Sequence, residues 1–323
     1  MHAIHILSPG GPEVLGWGRA PDPTPAPGEL LVRVHATAIN RADLLQRRGS
    51  YPPPAGASPI LGLELAGEVV QAAGDFAVGD RVMALVTGGG YAELATVPAT
   101  AAMPIPAELS YAQAAAIPEA FLTAHLNLFT LCGLRAGEVA LIHAGASGVG
   151  SAAIQLARAA GATVITTAGS AEKLAATRQL GADIAINYRD EDFGARVLEA
   201  TSGRGADVIL DFVGAPYWGA NMAAAAQGGR MALIGFLGGS RGQIDLGAIL
   251  AKSLTVTGTT LRRTPMPQKA ALVRDFSTFA LGRFASGELR PVIDRELPIQ
   301  SAAEAHAYVE RNQNIGKVVL TIA

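Results

Sequence analysis

Apolar residues follow two different rhythms along the chain, and the change comes near residue 120. Before it, Leu30-Leu31-Val32-Arg33-Val34-His35-Ala36 and Glu68-Val69-Val70 read as short strands. Turn-forming stretches rich in glycine and proline separate them, at Pro21–Gly28, Tyr51–Gly56 and Gly88-Gly89-Gly90. No regular helical alternation appears here, so a compact, mostly β domain is expected. After it, Val139–Ile142, Val164–Thr167, Ile184–Ile186, Val208–Leu210 and Met231–Ile234 are short apolar runs spaced roughly 20–25 residues apart. Such runs suit parallel strands buried on both faces by helices. Val149–Ala160 supplies one helix. Val149, Ala152, Ala153, Leu156 and Ala160 share a face, and Ser151, Gln155 and Arg158 lie opposite. A second helix starts with Ser170 as N-cap and ends near Gly181. The expected class is α/β: a Rossmann doubly wound parallel sheet over residues 121–261 beside a mostly β domain. The tail adds a helix-like stretch, Gln268–Phe284, and a strand, Lys317–Ile322. That is too little for a third domain, so 262–323 is assigned with 1–120, across a cleft from the middle segment.

Composition narrows the function classes. The 323 residues carry 25 basic and 27 acidic side chains with no basic run, which removes the electrostatic case for nucleic acid or an anionic membrane. Cys132 is the sole cysteine and lies in the apolar stretch Phe121–Leu134, so a buried structural thiol is expected, not a nucleophile. The start lacks a basic region followed by an apolar run, and even Ala223–Leu237 is broken by Gln227, Gly228, Gly229 and Arg230. A cytoplasmic location is expected.

The chemistry centres on Val139–Gly150, which runs strand, glycine-rich turn, helix. Gly145, Ser147, Gly148, Val149 and Gly150 form a variant of the dinucleotide turn in which Ser147 takes the second glycine position. Small residues there let the backbone approach a pyrophosphate, with helix N-terminal N–H groups facing it. The next strand ends in Thr166-Thr167-Ala168-Gly169-Ser170, without the acid that would bond an NAD ribose. Gly169, Ser170 and Lys173 instead suit a 2′-phosphate, which favours NADPH. Helix capping by Ser170 is compatible with that role.

Several motifs in order resemble the zinc-free quinone oxidoreductases of the medium-chain dehydrogenase/reductase superfamily, including the p53-inducible and zeta-crystallin-like members. They are Ala38–Asp43, Gly62–Gly67, Val78–Val82, Gly88–Glu93, Ala144–Gly150, Ile186–Tyr188 and Asn314–Lys317. The resemblance spans nearly the whole chain and implies a GroES-like fold for the β domain. It also implies that no metal is bound. The zinc-binding relatives place a cysteine in the loop aligned with Asn40–Asp43 and a histidine where this chain has Leu63. Six scattered histidines and one cysteine offer no ligand spacing in their place. By the same resemblance Asn40, Asp43 and Tyr51 line the catalytic cleft, with loop capping the alternative role for Asn40 and Asp43. Thr123 is placed near the nicotinamide, Tyr188 near the adenosine or its phosphate with core packing the alternative, and Gly235 and Phe236 at the cofactor channel with a plain hydrophobic rim the alternative for Phe236. Asn314 joins the cofactor set. The strand Leu254–Thr260 pairs with its twin in a homodimer.

The implied reaction is hydride transfer from NADPH to a quinone. A zinc-free enone or enoyl-thioester reductase is the nearest alternative, with no obvious basic cluster for CoA phosphates. An RNA-binding or structural protein on the same scaffold is the more distant one, set against the near-neutral charge and the intact glycine turn.

Overall fold

The computed structural model describes residues 1–322 and divides into two compact units, Met1–Leu122 with Leu261 onward, and Thr123–Thr260. In the second unit six strands form one sheet: β1 (Val139–Ile142), β2 (Thr163–Ala168), β3 (Ile184–Asn187), β4 (Ala206–Asp211), β5 (Ala225–Leu233) and β6 (Thr255–Gly258). Their order is β3-β2-β1-β4-β5-β6, and every pairing is parallel. The strand order reverses between β1 and β4, where doubly wound sheets open a crevice at their carboxyl ends. All four residues of β1 are buried, as its central place requires. Leu141, Ile165, Ile209 and Met231 pack into one core with Trp218 and Met222. A Leu141→Ala change in such a core costs about 2–5 kcal/mol.

The helices follow from their caps. Ser147 starts the helix Gly148–Ala159 by accepting the Gly150 N–H, and Ser170 starts Ala171–Gln179 by accepting the Lys173 N–H. Gly181, at φ 106°, turns the chain out of the second helix. Strand β5 begins six residues before the apolar run Met231–Ile234 that marks it in sequence. Gln227, Gly228 and Gly229 break the apolar pattern there, and the pairing with β4 is irregular over the same stretch.

The first unit is built on a seven-stranded sheet. Glu29–Ala38 lies at its centre, antiparallel to Glu64–Gln71, Leu94–Pro98 and Lys317–Thr321. The tail therefore enters the N-terminal sheet: Val319, Leu320 and Thr321 pair with Ala38, Thr37 and Ala36. Short helices interrupt this β unit, among them Arg41–Arg47 and Tyr111–Ala115. Neither is long enough to show a helical period in sequence. A 20-residue helix, Met266–Ala285, buries Phe276 and Phe284 against Phe121. None of the helices among the described residues is long and apolar enough to cross a membrane.

Candidate active site and dinucleotide cradle

The glycine turn follows β1 directly. A Cβ on Gly145 would stand 1.9 Å from Thr166 Oγ1, and one on Gly150 would stand 2.3 Å from the Ala144 carbonyl oxygen. Neither position tolerates a side chain, because the turn packs there against Thr166 and against its own backbone. Ala144 adopts φ 47°, a left-handed conformation uncommon for a residue with a Cβ. His143 anchors this turn from below. It is fully buried, with Nδ1 3.0 Å from Thr167 Oγ1 and Nε2 2.7 Å from Asn221 Oδ1. Asn221 in turn donates from Nδ2 to Asp211 Oδ2 at 3.2 Å. With its amide nitrogen used that way, Asn221 presents an acceptor to His143, so Nε2 carries the proton and Nδ1 accepts from Thr167. Burial lowers the His143 pKa, which keeps the ring neutral. The relay ties β1, β2 and β4 together beneath the crevice.

The turn after β2 carries Gly169, Ser170 and Lys173. A Cβ on Gly169 would meet the Tyr188 hydroxyl oxygen at 2.6 Å, so the ring of Tyr188 rests against that glycine. Tyr188 follows β3 and is 42% exposed. Lys173 lies in the first turn of the helix capped by Ser170, and the neighbouring Glu172 faces solvent. Gly235 and Phe236 follow β5. Phe236 is 56% exposed, and its ring atom Cδ1 would lie 2.8 Å from a Cβ on Gly214. The sheet thus gathers Gly145, Gly148, Val149, Gly150, Gly169, Ser170, Tyr188 and Gly235 just beyond the carboxyl ends of β1, β2, β3 and β5. Thr123 is nearly buried, and its carbonyl accepts from Asn127 Nδ2 at 2.8 Å. The helix Pro118–His125 that carries Thr123 continues into a π-helical turn, Leu126–Leu131, which periodicity in the sequence does not reveal. Asn314 belongs to the first unit and donates to the Gly316 carbonyl at 2.7 Å.

In the first unit Asn40 and Asp43 sit in a buried polar cluster. Asn40 caps the helix Arg41–Arg47, and Asp43 closes the box by accepting the Asn40 N–H at 2.8 Å. Asp43 also accepts the Gly62 N–H at 3.1 Å. Burial pushes its carboxyl up to about 6, partly offset by these two N–H donors. The Asn40 side chain is engaged at both ends. Its Nδ2 donates to Glu64 Oε1 at 2.8 Å and to the Ala38 carbonyl at 3.3 Å, while Oδ1 accepts from Lys317 Nζ at 2.6 Å. Lys317 pairs with Glu64 at 2.7 Å, and both are almost wholly buried. Glu64 Oε2 accepts the Glu119 N–H at 2.8 Å. The longest of the Asn40 side-chain contacts is the one to the Ala38 carbonyl, at 3.3 Å.

Glu64, Lys317 and Glu119 were not singled out as site residues in the sequence. An acid opening the apolar strand Glu64–Gln71 and a lysine opening Lys317–Thr321 are the signals available for the first two. Glu119 has none, because its neighbours come from distant segments. Its Oε2 is buried without a hydrogen-bond partner, although other parts of the side chain reach the surface. Burial, reinforced by the Glu64 charge, pushes the Glu119 carboxyl up to about 8, so it holds its proton at neutral pH. Tyr51 is partly exposed, with the guanidinium groups of Arg262 and Arg263 at 5.4 and 5.9 Å from its ring centre. Burial raises its phenol pKa against the pull of Arg262, so Tyr51 keeps a proton to donate.

A zinc ion does not fit the donor set. Leu63 is apolar and buried, and both Glu64 oxygens are committed to Lys317, Asn40 and the Glu119 amide. Among the described residues no three His, Cys, Asp or Glu side chains converge as metal ligands. Cys132 is buried, with burial pushing its thiol up to about 11. A dinucleotide does fit: Gly145 packs its backbone against Thr166 and Gly150 packs against the Ala144–Gly145 backbone, closeness that a Cβ would forbid, and the turn so held leads from β1 into the N-terminus of the helix Gly148–Ala159.

Comparison with known proteins agrees with this geometry. Residues 26–107 match the alcohol dehydrogenase GroES-like domain, and residues 148–276 match the zinc-binding dehydrogenase domain. The quinone oxidoreductase of Pseudomonas aeruginosa is 36% identical over 98% of this chain and 98% of its own length. A solved NAD-dependent alcohol dehydrogenase superposes with a TM-score of 0.89 at 34% identity, covering 100% of both chains. A mycobacterial protein solved in complex with NADPH superposes with a TM-score of 0.88 at 32% identity, again over 100% of both. With a doubly wound dinucleotide sheet, a GroES-like unit and end-to-end similarity to these relatives, the chain belongs to the quinone oxidoreductase family of the medium-chain dehydrogenase/reductase superfamily.

Proposed function

We propose that this protein is an NADPH-dependent quinone oxidoreductase that works without a metal ion and acts as a homodimer. The observation that carries the reading is the pairing of two features. The dinucleotide turn is packed tightly, through Gly145 onto β2 and through Gly150 onto its own backbone, while the polar cluster of Asn40, Glu64 and Lys317 is closed by mutual hydrogen bonds and leaves no place for a Lewis acid. An acceptor reduced there must take a hydride readily by itself. A quinone does, because its reduced form is an aromatic hydroquinone. NADPH would supply the hydride when bound, and the glycine turn, Thr123, Gly235, Phe236 and Asn314 are the residues proposed to hold it. The rest is positioning, which by itself accounts for much of the acceleration in reactions of this kind. Asn40 orients the acceptor by exchanging its Ala38 contact for an acceptor oxygen, Asp43 fixes the loop that carries Asn40, and Tyr51 donates from its phenol.

The preference for NADPH over NADH rests on the turn after β2. Ser170 and Lys173 offer donors, Tyr188 adds a phenol beside Gly169, and no acid stands at the end of β2. A cofactor-oxidation screen with NADPH and NADH against neutral quinones, enones and enoyl-CoA thioesters tests the whole reading. Turnover of quinones with NADPH is expected. Activity confined to enoyl thioesters, or equal efficiency with both cofactors, would overturn the corresponding part.

A further inference from the structure

The first unit contains an open cavity of about 520 Å³ that the reaction above leaves unused, within the range of small-molecule sites. Pro52-Pro53-Pro54 and the cations Arg262, Arg263 and Lys269 are among the residues that line it. These three cations come from one short stretch of chain, yet none forms an ion pair with a carboxylate among the described residues. Arg262 is 4% exposed and Lys269 3%. Buried cations without a counter-ion are costly and seldom retained without a role.

The cations are also held rigidly. The Thr87 carbonyl accepts from Arg262 Nε at 2.9 Å and Nη2 at 2.7 Å, and Gln46 Oε1 accepts from Nη2 at 2.7 Å. Arg262 Nη1 is left buried with no partner. Lys269 Nζ donates to the Arg262 carbonyl at 3.0 Å, which spends one of its three protons. Of the acids whose charge reaches Arg262, Glu119 holds its proton at neutral pH, and Asp43 accepts from the backbone N–H groups of Asn40 and Gly62 and forms no ion pair with the cations. A fixed, unpaired guanidinium beside a lysine and a second arginine is the chemistry that recognises carboxylate, phosphate or sulfonate oxygens.

We propose that this cavity binds an anionic substituent of the electron acceptor, so that the preferred acceptors are quinones or related compounds bearing a carboxylate, phosphate or sulfonate. The proposal rests on the quinone reading for the identity of the acceptor. Tyr51 links the two, since its ring contacts both Arg262 and Arg263 and the segment Pro52–Ala57 that follows it lines the cavity.

Two measurements on the full chain test it. In the first, steady-state reduction of 1,4-naphthoquinone-2-sulfonate is compared with that of neutral 1,4-naphthoquinone. The sulfonate is expected to show a KM about tenfold lower, as a charge-assisted contact allows. Arg263→Glu, at an exposed position, should bring the two KM values within about twofold. In the second, inorganic pyrophosphate is titrated calorimetrically into protein saturated with NADP⁺, which removes binding at the cofactor's own phosphate sites. Heat that disappears in Arg263→Glu and in Lys269→Gln, each checked by circular dichroism, supports the site. Pyrophosphate should also compete with the sulfonated quinone. Equal KM values for the two quinones in the wild type would overturn the assignment to the acceptor, even if pyrophosphate binds. Absence of pyrophosphate binding would overturn the site itself. Failure to reduce either quinone would remove the quinone reading alone, and the calorimetric result would still decide whether the anion site exists.

Discussion

At the scale of single residues the polar cluster around Asn40 has structural duties beside the chemical ones proposed for it. Asn40→Ala removes a cap, a contact to Lys317 and the amide assigned to the acceptor oxygen. A drop in kcat of about tenfold to a hundredfold is expected, the usual consequence of losing one oxyanion donor. An unchanged kcat in a folded variant would remove Asn40 from the chemistry and leave it a cap alone. Lys317→Met tests the buried ion pair. Removing one partner strands the Glu64 carboxylate, so denaturant unfolding should show a loss of about 3–5 kcal/mol, and a Glu64→Gln, Lys317→Met double variant should recover part of it. Glu119 predicts a pH dependence. Its folded pKa, about 8, lies above the value of 4.5 for a free glutamate, so its contribution to stability is full below pH 4.5 and is lost as the pH rises towards about 8. Glu119→Gln cannot ionise. Relative to the wild type it should therefore melt higher at pH 8.5 than at pH 5, and parallel melting curves at the two pH values would contradict the buried, protonated carboxyl. Asn40 and Asp43 stand out in the sequence because they sit in a recognisable loop motif. Glu119 does not, since what sets its chemistry is burial in the folded chain and the charges of Glu64, Lys317 and Lys269, each more than 50 residues away.

At the scale of elements the apolar runs after residue 120 are strands because each is buried on both faces, which leaves a plain mark in sequence. The helices Gly148–Ala159 and Ala171–Gln179 are as legible, the first by its apolar face and the second by Ser170 at its start, whereas the capping role of Ser147 is hidden by its place in the glycine turn. The short helix Arg41–Arg47 and the π turn Leu126–Leu131 are not, because one or two turns carry too few positions to establish a period. The start of β5 is hidden for another reason: its first residues pair through backbone while carrying Gln227 and two glycines. The turn after β2 is the element with the sharpest functional consequence. The 2′-phosphate of NADPH brings close to two negative charges where NADH has a neutral hydroxyl. Lys173 lies one helical turn beyond Ser170, and Glu172 points to solvent. A charge-assisted contact is worth about 1.5–3 kcal/mol, enough for a preference of roughly tenfold to a hundredfold. Lys173→Ala should raise the KM for NADPH and leave that for NADH nearly unchanged. The preference should also weaken with added salt. Equal losses for both cofactors would place Lys173 outside phosphate recognition.

At the scale of the whole molecule the second unit ends its sheet on β6, which pairs on one side only, through Arg230, Met231, Ala232 and Leu233 of β5. Its residues, Thr255-Val256-Thr257-Gly258, are β-branched apart from the last, and carry no charge or proline to discourage further pairing. Just before it, Ile244, Leu246 and Leu250 are 51%, 66% and 84% exposed. An uncapped edge beside exposed aliphatic side chains invites aggregation unless a partner covers it. A second copy of the same chain satisfies both needs at once. In the proposed homodimer two β6 strands related by a two-fold axis would pair antiparallel, each satisfying the other's free backbone groups, and the aliphatic side chains would meet across the axis as a self-complementary patch. Such a closed interface stops at two copies through this edge, whereas a head-to-tail contact would propagate. Light scattering at micromolar concentration should therefore give twice the chain mass, or a multiple built from such dimers. Leu250→Lys places a charge where the patch would close and should weaken association by about tenfold or more, since burying an unpaired charge costs more than 1.4 kcal/mol. A wild-type monomer at micromolar concentration, or a Leu250→Lys variant that associates as tightly as the wild type, would mean that the edge is covered by something other than its twin.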